Sequence, residues 1–137
     1  MRFLATTAAV LAFGIWSAGS AAPEPQSASM PAGDATRGAE IYETSCGGCH
    51  SLDANRIGPA HRGVVGRTAG SAPAYNYSPA LKASGITWTP ENLDKWLTDP
   101  RAFVKGVKMG FRLNDAQLRA DVIAFLAAEG GKTADAK

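Results

Sequence analysis

The sequence predicts an all-α fold of helices joined by long loops around a bound group, and three observations carry that prediction. Apolar residues recur at helical spacing near both ends of the folded region, and no stretch alternates apolar and polar residues for long enough to make a sheet. The third observation is Cys46-Gly47-Gly48-Cys49-His50, which comes directly after the first helical pattern. Two thiols three apart followed at once by a histidine form the pattern for covalent attachment of a c-type haem. Each thiol adds across one vinyl group of the porphyrin, and the adjacent imidazole is then held against the iron as one axial ligand.

Other chemistries of the same residues fare worse. A thioredoxin-like redox pair needs a βαβ setting, and neither strands nor a crossover helix surround these cysteines. A closed zinc site wants four ligands at suitable spacing, and only Cys46, Cys49, His50 and His61 are on offer. A structural disulfide is the remaining reading for an exported chain.

The N-terminal stretch is the first element. Arg2, the apolar residues 3 to 16 and the small residues 17 to 22 before Pro23 read as a signal peptide over 1 to 22, cleaved near Ala21. Residues 3 to 22 carry no charge and reach the ~20 that span a bilayer, so an uncleaved anchor is the alternative. Residues 23 to 33 hold too few large apolar side chains to bury anything and read as a flexible linker. One domain is expected over 34 to 130, with a polar tail over 131 to 137.

Within that domain Asp34 caps a first helix running to about residue 45, with Ala35, Ala39 and Tyr42 on one face. Ser78-Pro79 starts a short helix ended by Gly85, and Thr89-Pro90 starts another that stops before Pro100. Asn114 with Gln117 resembles a capping box; Leu118, Val122, Phe125 and Leu126 then recur at helical spacing until Gly130-Gly131 closes the helix.

Three side chains are candidates for the sixth position on the iron. Met109 is the best placed, because it lies in a glycine-flanked segment between helices where no periodicity asks for a core methionine. A thioether favours ferrous iron and raises the reduction potential relative to two imidazoles. His61 is an alternative ligand, and Met30 a poorer one, because the linker would lose ordering entropy to reach the metal.

Charge is unevenly spread. Residues 56 to 112 carry nine basic side chains against three acidic, whereas 23 to 55 carry one base and five acids. A positive rim beside the bound group would steer the chain to acidic patches on redox partners. Nucleic acid is a poor fit, since there is no basic helix or aromatic-basic array and the net charge is only +2. No persuasive Ser-His-Asp set, phosphate loop or carboxylate cluster points to hydrolysis.

An ordered set of motifs covers nearly all of the domain: Gly38 and Tyr42, Cys46 to His50, Gly58-Pro59, 63 to 67, Ala72-Pro73 to Tyr77, Trp88, 97 to 100, 106 to 109 and 119 to 126. On these the chain resembles the class I cytochromes c, in particular the mitochondrial-like soluble type of the bacterial periplasm. The resemblance implies about five helices with long loops wrapped around one haem, the first and last crossing where Gly38 meets Phe125. It implies one haem c held by Cys46 and Cys49, with His50 and Met109 as axial ligands and Pro59 accepting a hydrogen bond from the outer nitrogen of His50. Arg67, Tyr77 and Trp88 fall where the family serves a haem propionate, and Trp96 and Leu97 where it lines the pocket.

Several positions depart from the family pattern. Lys105 stands where proline is frequent, which leaves φ unrestrained and the ligand loop looser. Val107, Leu81 and Trp96 replace a common threonine, asparagine and tyrosine. His61 replaces a leucine; pointing inward, it would compete for the iron or titrate near neutral pH.

The implied function is one-electron transfer in the periplasm, as part of a respiratory chain, by an electron-transfer protein and not an enzyme. The donor would be a quinol:cytochrome c oxidoreductase or a periplasmic dehydrogenase, and the acceptor a terminal oxidase, reductase or reaction centre. Membrane contact is expected only through partners unless the N-terminal segment is retained. The alternative is a haem peroxidase or small-ligand sensor, which needs a labile sixth ligand.

Overall fold

The computed structural model describes residues 30 to 131. The expected signal segment, most of the linker and all but the first residue of the polar tail lie outside the described residues. Five α-helices succeed one another along the chain: α1 (Ala35–Ile41), α2 (Pro79–Lys82), α3 (Pro90–Thr98), α4 (Pro100–Phe103) and α5 (Ala116–Gly130). The described residues hold no strand, only one antiparallel bridge between Thr68 and Thr87, in keeping with the all-α expectation.

Asp34 caps α1, its carboxylate accepting from the amides of Thr36 and Arg37 at 2.8 and 3.0 Å. The helix does not simply end near residue 45. It widens into a π-helical turn over Tyr42–Cys46, closed by the Gly47 amide on the Tyr42 carbonyl at 2.8 Å. Single wide turns of this kind insert a residue, rotate the chain beyond them and gather at functional sites.

The core is organised by the crossing of α1 and α5. A β-carbon on Gly38 would fall on the carbonyl oxygen of Asp121 and 2.8 Å from the β-carbon of Phe125, so only glycine lets the backbones meet there. Gly33 makes the same kind of contact with Ala120, the Ala32 carbonyl accepts from Gln117 at 2.8 Å, and Met30 packs against the core. Residues 30 to 33, expected to be the end of a linker, therefore dock along α5.

Asp121 locks the crossing. Its side chain is 1% exposed and accepts from the Asp34 amide (2.7 Å), the Arg37 guanidinium (2.9 and 3.0 Å) and Gln117 (3.0 Å). The Arg37 and Asp34 donors together hold its carboxyl well below the usual carboxylate range.

The cap of α5 is Asp115, one residue beyond the expected Asn114. The Asp115 carboxylate takes the amides of Gln117 and Leu118, and the Asn114 carbonyl instead accepts from Arg119. A full negative charge at the helix N-terminus outcompetes a neutral amide for that position. Of the apolar stripe, Val122 and Leu126 are buried and Phe125 packs against the core, but Leu118 stays 39% exposed.

Ser78 and Thr89 cap α2 and α3 as expected, each followed by proline. Pro100 ends α3 and also begins α4, a helix not expected from the sequence, with Asp99 as its cap. Arg119 ties α5 to α3 through Asp94 and to the carbonyls of Leu113 and Asn114, while Arg62 bridges Asp53 and Glu129.

Because folding favours ionised Asp121, its contribution is complete above the unfolded carboxylate pKa of about 3.9 and drains away as pH falls below that toward the lower folded value. Asp121→Asn is expected to lower stability at neutral pH and to flatten the acid limb, measured by chemical denaturation between pH 7 and pH 2.

Candidate functional site

Between the π-helical turn, α3, α5 and the segment that joins α4 to α5 lies a cavity of about 520 Å³. That volume is within the range of pockets that bury a small-molecule ligand. Its walls are mainly apolar, with Val64, Leu81, Leu93, Val122 and Leu126 among them, and Cys46, Cys49, His50 and Met109 all face into it.

Backbone turns set the first three of these. The amides of Cys49 and His50 both donate to the Cys46 carbonyl, at 3.0 and 2.9 Å, and the Gly58 amide donates to the Cys49 carbonyl at 2.8 Å. Both sulfurs are free of a disulfide; Cys46 is half-buried, and burial, with Cys49 beside it, pushes its thiol up to about 11.

The His50 ring lies with Nδ1 2.9 Å from the Pro59 carbonyl, which fixes Nδ1 as the protonated nitrogen and leaves the Nε2 lone pair unused. Burial lowers the His50 pKa against the opposing pull of Pro59, so the ring is neutral, the form a metal needs. Gly58 abuts the ring so closely that a β-carbon would fall on Cε1 and 2.5 Å from both nitrogens.

Met109 sits half-buried on the segment after α4. Gly106 turns the chain there with φ +88°, a conformation that favours glycine. Lys105 stands where the resembled family often has proline, yet the segment is tied down at several points. Lys108 donates to the Asn76 carbonyl at 2.6 Å, Arg112 pairs with Asp99 at 2.7 Å, and the Leu113 amide donates to Leu97 at 2.8 Å.

The remaining sequence candidates all line the cavity: Pro59, Arg67, Tyr77, Trp88, Trp96 and Leu97. Arg67 and Trp88 are brought together because the amide of Trp88 donates to the Arg67 carbonyl at 2.9 Å. The Arg67 guanidinium donates to the carbonyls of Ala60 and Arg62 and keeps Nε buried without a partner. Trp88 and Trp96 meet edge to face with centroids 5.1 Å apart.

Two expectations about His61 need correction. Its ring points inward but stacks on His50, with centroids 4.0 Å apart and planes 20° from parallel. It therefore shares the side of the cavity that His50 occupies and cannot replace Met109. Burial, helped by His50 and Arg67, pushes its pKa down to about 3, so it does not titrate near neutral pH. Met30 packs against the core and is not among the cavity-lining residues.

Sequence reasoning missed Tyr75, whose hydroxyl donates to the Ile57 carbonyl at 2.6 Å and whose ring meets Tyr77 at 4.7 Å. It also missed Val64 as a wall. Neither carries a local signal, because each reaches the cavity through the loop path alone.

This donor set fits a covalently held haem. Two thiols, a neutral imidazole and a thioether suit its vinyl groups and iron, apolar walls suit the macrocycle, and the unpartnered Nε of Arg67 suits a buried carboxylate.

Comparison with known proteins points the same way. The Cytochrome c family model matches residues 35–128. Cytochrome c2 of Rhodomicrobium vannielii is 46% identical over 105 residues, covering 74% of this chain and 83% of that protein. Cytochrome c2 of Rhodopila globiformis is 46% identical over 101 residues, covering 72% and 95%. Among solved structures, cytochrome cH from Methylobacterium extorquens superposes with a TM-score of 0.67 at 41% identity, covering 70% of this chain and 99% of that one. Cytochrome c2 from Rhodospirillum centenum gives 0.66 at 39% identity, covering 70% and 98%.

Gly58→Ala is expected to drive the His50 ring off Pro59, because the added carbon has no room and its neighbour is the ring itself. Absorption spectra should then show loss of most of the low-spin haem signal at equal protein concentration.

Proposed function

Because the chain belongs to the cytochrome c family, we propose that Cys46 and Cys49 hold its haem covalently and that His50 and Met109 are the axial ligands of the iron. The protein is a class I cytochrome c of the soluble bacterial type, a one-electron carrier with one haem c and not an enzyme. The observation that supports the ligand assignment is the convergence of two thiols, a neutral imidazole and a thioether on one apolar cavity.

When bound, the haem supplies a one-electron couple between ferric and ferrous iron. The residues around it keep that couple clean. Pro59 orients His50 and strengthens it as a donor, as a hydrogen-bonded neighbour does for any metal-bound histidine. Trp96, Leu97, Leu81 and Val107 are buried apolar walls of the cavity and keep water from its interior. Arg67, with Tyr77 and Trp88, balances a propionate that would be costly to bury alone. Anchors at Lys108, Arg112 and Leu113 tie the Met109 segment to the rest of the fold. The peroxidase or sensing alternative finds no support among these relatives.

The finer reading is a periplasmic carrier whose signal segment over 1 to 22 is removed and whose folded domain spans 34 to 130, with residues 30 to 33 packed against it. Among the described residues no helix is long and apolar enough to cross a membrane. Donors and acceptors of the class expected from the sequence, quinol:cytochrome c oxidoreductase or a dehydrogenase on one side and an oxidase, reductase or reaction centre on the other, would meet the exposed Lys108 at the edge of the cavity. Lys108, Ile57 and Phe111 border it, with Ile57 and Phe111 exposed, a mixed charged and apolar rim of the kind that docks transiently.

The deciding experiment is absorption spectroscopy of the haem-loaded protein, with Met109→Ala beside it. Wild type is expected to be low-spin in both oxidation states with the weak far-red band of methionine sulfur on ferric iron, and the variant to lose that band. A wild-type spectrum without the band would overturn Met109 ligation. Electron-transfer rates with an acidic partner are expected to fall as salt rises from about 10 mM to about 300 mM; rates flat across that range would remove the docking rim.

A further inference from the structure

Pro59 does not hold the His50 ring alone. An aromatic column runs to it from the helix crossing: Phe125 of α5 lies against Tyr42 (centroids 5.3 Å, planes at 51°), Tyr42 meets His61 edge-on (5.7 Å, 64°), and His61 lies flat on His50 (4.0 Å, 20°). The backbone of His61 is fixed from several sides. Its amide donates to the Ser51 carbonyl at 3.0 Å, its carbonyl accepts from Val64 at 2.9 Å, and Arg67 grips the carbonyls of Ala60 and Arg62 on either side of it.

Two polar atoms in the column are buried with no partner among the described residues, the Tyr42 hydroxyl and His61 Nδ1. Unsatisfied buried polar groups cost stability, and leucine at residue 61 with phenylalanine at residue 42 would fill the space without that cost. Core filling therefore does not account for His61, whereas a flat ring on the face of His50 does.

We propose that His61 is a positioning residue for His50, fixing the rotation of its ring about the axis through the metal-binding nitrogen and presenting a π face to it, with Tyr42 carrying the placement from the α1/α5 crossing. The inference rests on His50 being an axial ligand. The Pro59 bond fixes one direction in the plane of the ring, and the stack fixes the plane itself. An imidazole bonded to ferric iron carries more positive charge than one bonded to ferrous iron, and a π face attracts positive charge. The stack therefore favours the ferric state and lowers the reduction potential relative to an aliphatic neighbour.

The test compares haem-loaded wild type with His61→Phe, His61→Leu and Tyr42→Leu. Midpoint potential is read by voltammetry, and ring orientation by the spread of haem-methyl resonances in proton NMR of the ferric protein. His61→Phe should keep the wild-type methyl pattern. His61→Leu should raise the potential and change the pattern with the far-red band intact, and Tyr42→Leu should change the pattern in the same sense by less. If His61→Leu takes up no haem, His61→Phe and Tyr42→Leu carry the comparison. Potential and pattern unchanged in the leucine variants would overturn the positioning role and leave His50 ligation standing. A wild-type spectrum without low-spin imidazole ligation would overturn both.

Discussion

At Gly38 the backbone of α1 meets the carbonyl of Asp121 with no β-carbon between them, and the placement of the cavity depends on that contact. Close approach of α1 and α5 fixes where the π-helical turn begins, and the turn carries Tyr42, Cys46 and, through its closing hydrogen bonds, His50. Asp121 makes the approach directional. Its lone pairs are taken by Asp34, Arg37 and Gln117, so sliding one helix along the other would strand a buried charge. The helix pair is therefore a rigid base from which the two thiols and the His50 ring project.

The rest of the molecule is a loop path closed over that base, and a large fraction of its apolar core faces the cavity. Tyr42, Val64, Leu81, Trp96, Val122 and Leu126 belong at once to the core and to the cavity wall. Haem binding therefore adds to the hydrophobic driving force that folds the chain, and removal of the group would leave these side chains without the contacts that stabilise them. The cavity walls are apolar at Leu81 and Val107, where the resembled family often has an amide and a hydroxyl. Fewer polar groups there means less stabilisation of the extra positive charge of ferric iron.

Charge divides into two kinds of work. Arg37, Arg62 and Arg119 pair with acids and fix helix to helix or helix to loop, so they contribute to the fold and little to the outer field. Lys108 spans the two roles. It anchors the Met109 segment to Asn76 and keeps its charge at the rim of the cavity, where an approaching acidic surface would meet it.

How much of this was legible in the sequence depends on how far each feature reaches along the chain. The haem attachment run, the caps at Asp34, Ser78 and Thr89 and the helices they start are local patterns, readable because spacing and side-chain chemistry suffice. The choice of Asp115 over Asn114 as cap is a competition between neighbouring polar side chains that the capping-box spacing alone does not resolve. The Asp121 lock has no local signature, because its partners Asp34 and Arg37 lie 87 and 84 residues away. His61 is the sharpest case, since a lone histidine in a loop reads equally as ligand, switch or surface residue until its ring is found lying on His50. By itself the sequence determined the chemistry and four of the five α-helices, because covalent attachment and capping act within a few residues, while α4 was not among them. Only the tertiary structure decided which face His61 covers, where the chain before Asp34 docks and how the Met109 segment is anchored, because these depend on contacts between distant parts of the chain.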